Sequence, residues 1–349
     1  MSTHYRLVAE WAPQGAVLLV WPHPESDWGA TLDDVTPVFR AIAAAVLAHE
    51  NLLLVAHDKP MQAELQDFAD HIIRSRSLPG RCRVHLADSD DTWARDFGPL
   101  SVSDGTTTEL RDFRFNAWGD KFPSQRDDAL TAALDQSSAF GELSLHRVDY
   151  VLEGGALETD GHGTLMTTSS CLLDPARNGG QSKAEVEEVM ARELGITRTL
   201  WLDHGHLEGD DTDGHIDTLA RFHARNGICY QSCDDPDDPH YKPLSAMAQE
   251  LAAFTDSTGQ PYRLTPLPWP EPVHDGAGNR LPATYANFLI INGAVLLPVY
   301  GVPQDEKARE VLASCFPERH IHCIHCRPLL RHGGSLHCLT MQLPPGVPV

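Results

Sequence analysis

Residues 16–56, AVLLVWPHPESDWGATLDDVTPVFRAIAAAVLAHENLLLVA, change pattern twice. Ala16 to Trp21 and Leu52 to Ala56 are short apolar runs of strand length. Between them, Asp34 to His49 repeats its apolar residues at helical spacing and carries Pro37 in its first turn, where a missing N–H breaks no intrahelical bond. Strands alternating with helices predict an α/β fold. The rest of the chain repeats the theme. Val84 to Ala87 and Thr164 to Thr168 read as strands, and QSKAEVEEVMARELG reads as a helix. In it Ser182 and Glu185 form a capping-box pair, Val186, Met190 and Leu194 share a face, and Gly195 ends it. Phe288 to Ile291, Asn292-Gly293 and Ala294 to Val299 predict a hairpin, because two residues of this type favour a turn whose twist matches the strands. Two stretches rich in proline, glycine and aspartate, Ser232 to Pro243 and Thr265 to Pro282, read as long surface loops, either of which could border an active site.

Composition narrows the function classes. A chain of 349 residues with 42% hydrophobic residues, 25 prolines and 26 glycines has the make-up of a globular protein with many turns. Nowhere does an apolar run approach the ~18 residues a membrane helix needs. The first residues, MSTHYRLVAEWAPQG, lack a basic segment followed by an apolar one, so no secretory signal is expected and a cytoplasmic location is predicted. The 8 cysteines are too sparse for a disulfide scaffold and are expected to be reduced. A formal charge of −22 repels phosphate backbones and anionic lipid, so neither nucleic acid nor membrane is an expected partner, and a small cationic substrate is favoured. Solubility alone accounts for the charge equally well. A homo-oligomer is compatible with all of this.

Four segments hold groups able to do chemistry. RHGGSLHCLTMQ places Cys338 after Gly333-Gly334, where the missing Cβ atoms let a substrate approach a thiol. DDTDGHIDTLARF holds His215 and Asp217 two apart, which on an extended strand puts both on one face. DTWARDFGPL brings Trp93, Arg95 and Asp96 into a turn at Gly98-Pro99. VLEGGALETDGHGTLMTT delivers Glu153 from an apolar run to Gly154-Gly155. Each segment alone also fits a structural role: a buried cysteine, a solvated strand edge, exposed turn charges and a loop acid. Together they offer one thiol, one imidazole and three carboxylates beside turn residues.

In order along the chain, WARDFGP, FNAWG, LEGGALETDGHGTLMTTSSCLLDPARN, GDDTDGHID, TYANFLIIN and GGSLHCLTMQ resemble agmatine deiminases and their porphyromonas-type peptidyl-arginine deiminase relatives, of the guanidino-group-modifying superfamily. The likeness runs from about residue 11 to 345. It implies a single catalytic domain over residues 1–349 with the pentein fold, an α/β propeller of five pseudo-symmetric ββαβ modules around a central active site. It implies Cys338 as nucleophile, His215 as general acid and base, Glu153 as its partner, and Asp96 and Asp217 as a clamp on a guanidinium. Trp93 and Trp118 become candidate walls of the substrate site, with Asp211 and Gly334 as further substrate contacts. The chemistry so implied needs no metal and no organic cofactor: agmatine and water would give N-carbamoylputrescine and ammonia through a covalent amidino-cysteine.

The chain departs from the usual family pattern at Asp211, Asp213 and His332. Another guanidine, such as peptidyl or free arginine or a longer alkylguanidine, therefore stays open as substrate, as does a non-catalytic paralogue that binds a polyamine. A third class is kept by HIHCIHCRPLLRH, where Cys323-x2-Cys326 has the spacing of half a zinc site, and by His204, His206, His215 and Asp217 as a conceivable metallohydrolase set.

Overall fold

The computed structural model describes residues 5–349. Its strands form five sheets among the described residues, and four share one plan: an antiparallel pair, then a helix, then a strand parallel to the second. The first runs Leu100–Ser103, Thr108–Arg114, the helix Gln125–Gln136 and Ser144–Val151. The second runs Glu158–Thr159, Thr164–Thr168, the helix Lys183–Leu194 and Arg198–Leu202. The third is built from Ala220–Ala224, Gly227–Gln231, the helix Tyr241–Ala253 and Arg263–Leu267, and the fourth from Leu289–Ile291, Ala294–Val299, the helix Gln304–Cys315 and His320–His325. The fifth joins the two ends of the chain. Thr340–Leu343 pairs antiparallel with Ala16–Val20, the helix Leu32–Leu47 crosses over, and Asn51–Ala56 lies parallel to Ala16–Val20, with Cys82–Leu86 added at the edge after the helix Lys59–Arg76.

The predicted α/β alternation is present, and most local signals hold. Ser182 and Glu185 make the reciprocal capping box, satisfying two N-terminal N–H groups. Gly195 ends that helix at φ +63°, a conformation that costs glycine little. The hairpin turns at Asn292-Gly293 as predicted. The loop stretches differ from expectation: Tyr241 begins a helix, and Thr265, Pro266 and Leu267 complete a strand against Gly227–Gln231, because Pro266 sits where its missing N–H leaves the parallel pairing intact. No helix among the described residues is long and apolar enough to cross a membrane. All eight cysteines are free thiols.

The apolar core fills the space between helices and sheets, with the strands Ala16–Val20 and Asn51–Ala56 almost wholly buried on both faces. Such two-sided burial is why these runs read as continuous rather than alternating. A smaller cluster around Met166, Leu200, Ile216, Leu219, Phe222 and Met247 packs the third sheet against the second.

Candidate active site

The segments that lead into the first strand of each sheet converge. Asp96 lies four residues before Leu100, Glu153 five before Glu158, Asp217 three before Ala220, Asn287 two before Leu289 and Cys338 two before Thr340. All five side chains are at most 4% exposed.

Asp96 and Asp217 reach the site by routes the sequence did not show. Asp96 sits in a helical turn, Ala94–Phe97, just before Gly98-Pro99, and His215 caps a 3-10 turn, Ile216–Thr218, that carries Asp217. The extended strand expected to align His215 with Asp217 is replaced by that turn because Gly214, at φ +85°, reverses the chain just before it. Ile216 and Leu219 serve the core, as expected.

Cys338 Sγ accepts from Asn287 Nδ2 at 3.2 Å and lies 3.5 Å from Asp217 Oδ2, to which its S–H can donate. Burial first, then the carboxylates of Asp217 and Asp96, hold the thiol well above its ordinary range. Asp217 Oδ2 also accepts from Asn287 Nδ2 at 3.1 Å and from His337 Nδ1 at 2.8 Å. Its second oxygen, Oδ1, is buried with no partner. Burial works against the Asp217 carboxylate, but His337 first, then His215 and Arg221, together outweigh it and keep the group below its usual value.

Asp96 accepts from Gly155 N–H at 2.9 Å and from Trp118 Nε1 at 3.0 Å. Gly155 is required here: a Cβ would fall 2.6 Å from His215 Nδ1 and 2.8 Å from Asp96 Oδ1. Burial pushes Asp96 up to about 6, with His215 opposing and Asp217 and Glu153 adding to it. His215 Nδ1 sits 3.6 Å from Asp96 and Nε2 3.9 Å from Glu153, and neither nitrogen is hydrogen-bonded. Burial favours the neutral ring, yet its neighbours, Asp96 first, then Cys171 and Glu153, hold it well above its ordinary value. Glu153 is fixed from behind by Arg177, whose Nε donates to both oxygens at 3.0 and 2.9 Å. Arg177 also reaches Asp213 and the Thr212 carbonyl, so the unexpected charge at Asp213 ends in an ion pair that braces the His215 turn.

A cavity of about 240 Å³ is lined by Trp93, Trp118, Asp27, Asp91, Asp211 and His332, among others; none of the five converging side chains lines it, and Trp118, which donates to Asp96, links it to them. Trp93 and Trp118, the candidate walls, both line it. The space left by the glycine pair is filled by protein: a Cβ on Gly334 would lie 2.4 Å from the Trp93 ring, and one on Gly333 2.7 Å from Asp211. Gly334 thereby seats Trp93, whose Nε1 donates to Asp91 at 2.9 Å. Leu281, at the end of the second predicted loop, reaches the cavity.

The alternative metal sets do not assemble. His204 is exposed and bonded to Glu250 rather than to His215, and Cys323 is exposed while Cys326 is buried. Among the described residues, the groups close enough to share a cation are His223, Cys229 and Cys315; Glu153, Cys171 and His215; and Glu10, Glu158 and His337. Arg177 on Glu153 and Arg221 on Glu10 and Glu158 already neutralise the latter two.

Sequence reasoning missed Asn287, Arg177, His337 and Glu10. Asn287 and Arg177 lie inside quoted motifs, TYANF and DPARN, and His337 adjoins the nucleophile candidate. Glu10, in AEW, carried no local signal.

The chain matches the family described as Porphyromonas-type peptidyl-arginine deiminase over residues 6–344. It is 33% identical to the agmatine deiminase of Stutzerimonas stutzeri, over 97% of this chain and 95% of that protein. Its structure superposes on a protein from Porphyromonas gingivalis provisionally described as an arginine deiminase, with TM-score 0.90 and 47% identity over 98% of this chain and 99% of the other. It likewise superposes on a C. jejuni agmatine deiminase with substrate bound, with TM-score 0.89 and 34% identity over 99% and 97%. An amidinotransferase from Microseira wollei shares the fold at TM-score 0.51 and 11% identity, covering 99% of this chain and 97% of that one. With an α/β architecture of five sheets and a buried Cys, His and three-carboxylate centre, the chain belongs to the Porphyromonas-type peptidyl-arginine deiminase family.

Proposed function

We propose that this amidine-hydrolysing enzyme deiminates a guanidine, with agmatine as the substrate the cavity fits best. The observation that carries the reading is the pair of unpaired acceptor and donor sites in one buried centre: Asp217 Oδ1 beside the Cys338 thiol, and His215 with both nitrogens free between Asp96 and Glu153. Buried polar atoms are rarely left unbonded, so these are places for a ligand. A guanidinium offers five donors in a fixed fork, which two carboxylates can grip on either side of its carbon.

In this reading Asp96 and Asp217 hold the guanidinium. Its charge offsets the carboxylates that keep Cys338 protonated, so substrate binding itself promotes the thiolate. The S–H proton passes to solvent, and the last hydroxyl proton of the product returns to the sulfur when the S–C bond breaks. Sulfur attacks the central carbon and an S–C bond forms. His215 gives its proton to the leaving nitrogen, the C–N bond breaks and ammonia departs, leaving an amidino-thioether on Cys338. The neutral imidazole then takes a proton from water, whose oxygen adds to the same carbon; the S–C bond breaks and a ureido product leaves. Glu153, braced by Arg177, holds His215 for both transfers. The C. jejuni relative, a cysteine-to-serine variant with substrate bound, supports a nucleophilic cysteine.

The five antiparallel-then-parallel sheets, each preceded by one of the converging residues, support five equivalent modules around a central site within one domain. Asp27 and Asp211 around the cavity favour a substrate whose far end is an amine over one ending in a carboxylate, while Asp91, pushed up to about 8, gains its charge at neutral pH only when such a cation lies beside it. Arg331 at the same rim favours a second reading, free arginine, whose carboxylate it could meet. Incubating the protein with agmatine, arginine and a peptidyl arginine, and measuring ammonia and the ureido product by mass, tests both. Turnover of agmatine well above arginine is expected; no product from any guanidine would end the proposal.

A further inference from the structure

Directly behind Asp217 lies an imidazole that the mechanism above does not use. His337 is 1% exposed and is bracketed by two carboxylates: its Nδ1 lies 2.8 Å from Asp217 Oδ2 and its Nε2 lies 2.7 Å from Glu10 Oε2. Ionised carboxylates only accept, so both ring nitrogens serve as donors here. Glu10 is itself immobile. Its Oε2 accepts from Arg221 Nη2 at 2.7 Å and its Oε1 from the Ile290 N–H at 2.7 Å. Arg221 is anchored in turn on Glu158 and on the carbonyls of Ala286 and Phe288. The Arg221 guanidinium and His337 together hold Glu10 ionised in spite of its burial.

The geometry points to His337 as a positioning residue for the reaction: oriented by Glu10, it donates to Asp217 Oδ2, turning Oδ1 to the substrate as the free arm of the clamp. Three donors crowd Oδ2, namely His337, Asn287 and the Cys338 thiol, while Oδ1 has none. A carboxylate pinned on one oxygen keeps the other in a fixed direction, and a clamp works only when its direction is fixed before the substrate arrives. Asn287 shares the task at 3.1 Å while its Nδ2 also reaches Cys338 Sγ, so His337, at 2.8 Å, is the shorter donor to Oδ2; Arg95 is directed elsewhere, with Nη1 on Gln342 and Nη2 3.8 Å from Glu10.

This inference rests on the deiminase reading, and the test separates the two. An asparagine at 337 carries its amide nitrogen near the place of Nδ1, and a glutamine carries it near the place of Nε2. If orientation of Asp217 is what matters, His337→Asn should stay within about fivefold of the parent in kcat/KM for agmatine, whereas His337→Gln and His337→Leu should lose about 30-fold or more, the range set by one hydrogen bond to a charged group. The same order should appear in the rate at which 2-chloroacetamidine alkylates Cys338, a reaction that needs the amidinium clamp but not turnover. Thermal melting of all three variants provides the structural control. A merely structural histidine would make glutamine, which keeps the Glu10 contact, the better substitute, or would make activity follow melting temperature; either result overturns the proposal. A parent protein that is alkylated faster by the amidine than by iodoacetamide yet turns over no guanidine would overturn the deiminase reading, and the His337 series would still be decided by labelling.

Discussion

The reactive centre and the ionic knot behind it are made of the same kinds of residue at the same depth, yet they are finished differently. In the knot, Glu10, Glu158, Arg221 and His337 are each held by at least two partners, and Arg221 alone reaches two carboxylates and two carbonyls. In the centre, His215 has no hydrogen bond at either nitrogen and Asp217 has one idle oxygen. Burying a charge without partners is costly, so a fold tolerates it only where something else supplies the partner. The contrast marks which buried charges hold the protein together and which await a ligand. His337 spans the boundary, one nitrogen on each side.

The sharpest way to break this contrast is at the sulfur. Cys338→Ser should lower kcat by about a thousandfold or more, because a hydroxyl is a far weaker nucleophile, while melting temperature and substrate binding stay near those of the parent. Substantial residual turnover, measured as ammonia release, would remove Cys338 from the nucleophile role. On the other side of the boundary the expected loss is in stability. Arg221→Met leaves Glu158 without a cation and Glu10 with only His337 and the more distant Arg95, and should cost about 3–5 kcal/mol in urea unfolding. Adding Glu158→Gln should recover part of that loss; an Arg221→Met protein as stable as the parent would show that the knot is not structural.

Much of this arrangement was legible in the sequence, and the remainder was hidden for definite reasons. The strands, the Ser182 capping box and the Asn292-Gly293 turn are set by neighbours within a few residues, so periodicity and turn chemistry reveal them. Cys338, His215, Glu153, Asp96 and Asp217 were visible as motifs, but their assembly came from the family resemblance, since contacts as distant as Asp217 with Cys338 leave no local trace. The turn geometry at His215 was misread as strand because a His-x-Asp pair is compatible with both. Glu10 was invisible for the plainest reason: its partners, Arg221, Ile290 and His337, are all far away in the chain. Gly334 was visible beside the thiol, but the room its missing Cβ makes for Trp93, far away in the chain, was not.

The two arms of the clamp offer a finer comparison. Asp96→Asn and Asp217→Asn should each reduce kcat/KM by about 100-fold, since each removes a charged partner from a desolvated guanidinium, a loss of roughly 3 kcal/mol. Near-parental kinetics in either variant would exclude that residue from the clamp.

The smallest effect distinguishes the arms in the intact enzyme, through pH. Asp217 is held below its usual range by His337 and stays ionised throughout the working range, whereas burial pushes Asp96 up to about 6. The clamp needs both ionised, so activity is present above that value and lost as pH falls through it. For the free enzyme, kcat/KM should drop roughly twofold between pH 7.5 and 6 and more steeply below. A bound guanidinium favours the ionised carboxyl, so the same limb in kcat should lie at lower pH. Asp91, pushed up to about 8 by burial and its neighbouring acids, and Asp211, also raised, face the same cavity and could titrate in this region. Asp91→Asn and Asp211→Asn must therefore leave the limb near 6 in place, and the residual activity of Asp96→Asn must lack it. A limb that survives in Asp96→Asn, or that falls at the same pH in kcat and kcat/KM, would mean that Asp96 does not change its charge in front of the substrate, and the two arms would have to be regarded as electrostatically alike.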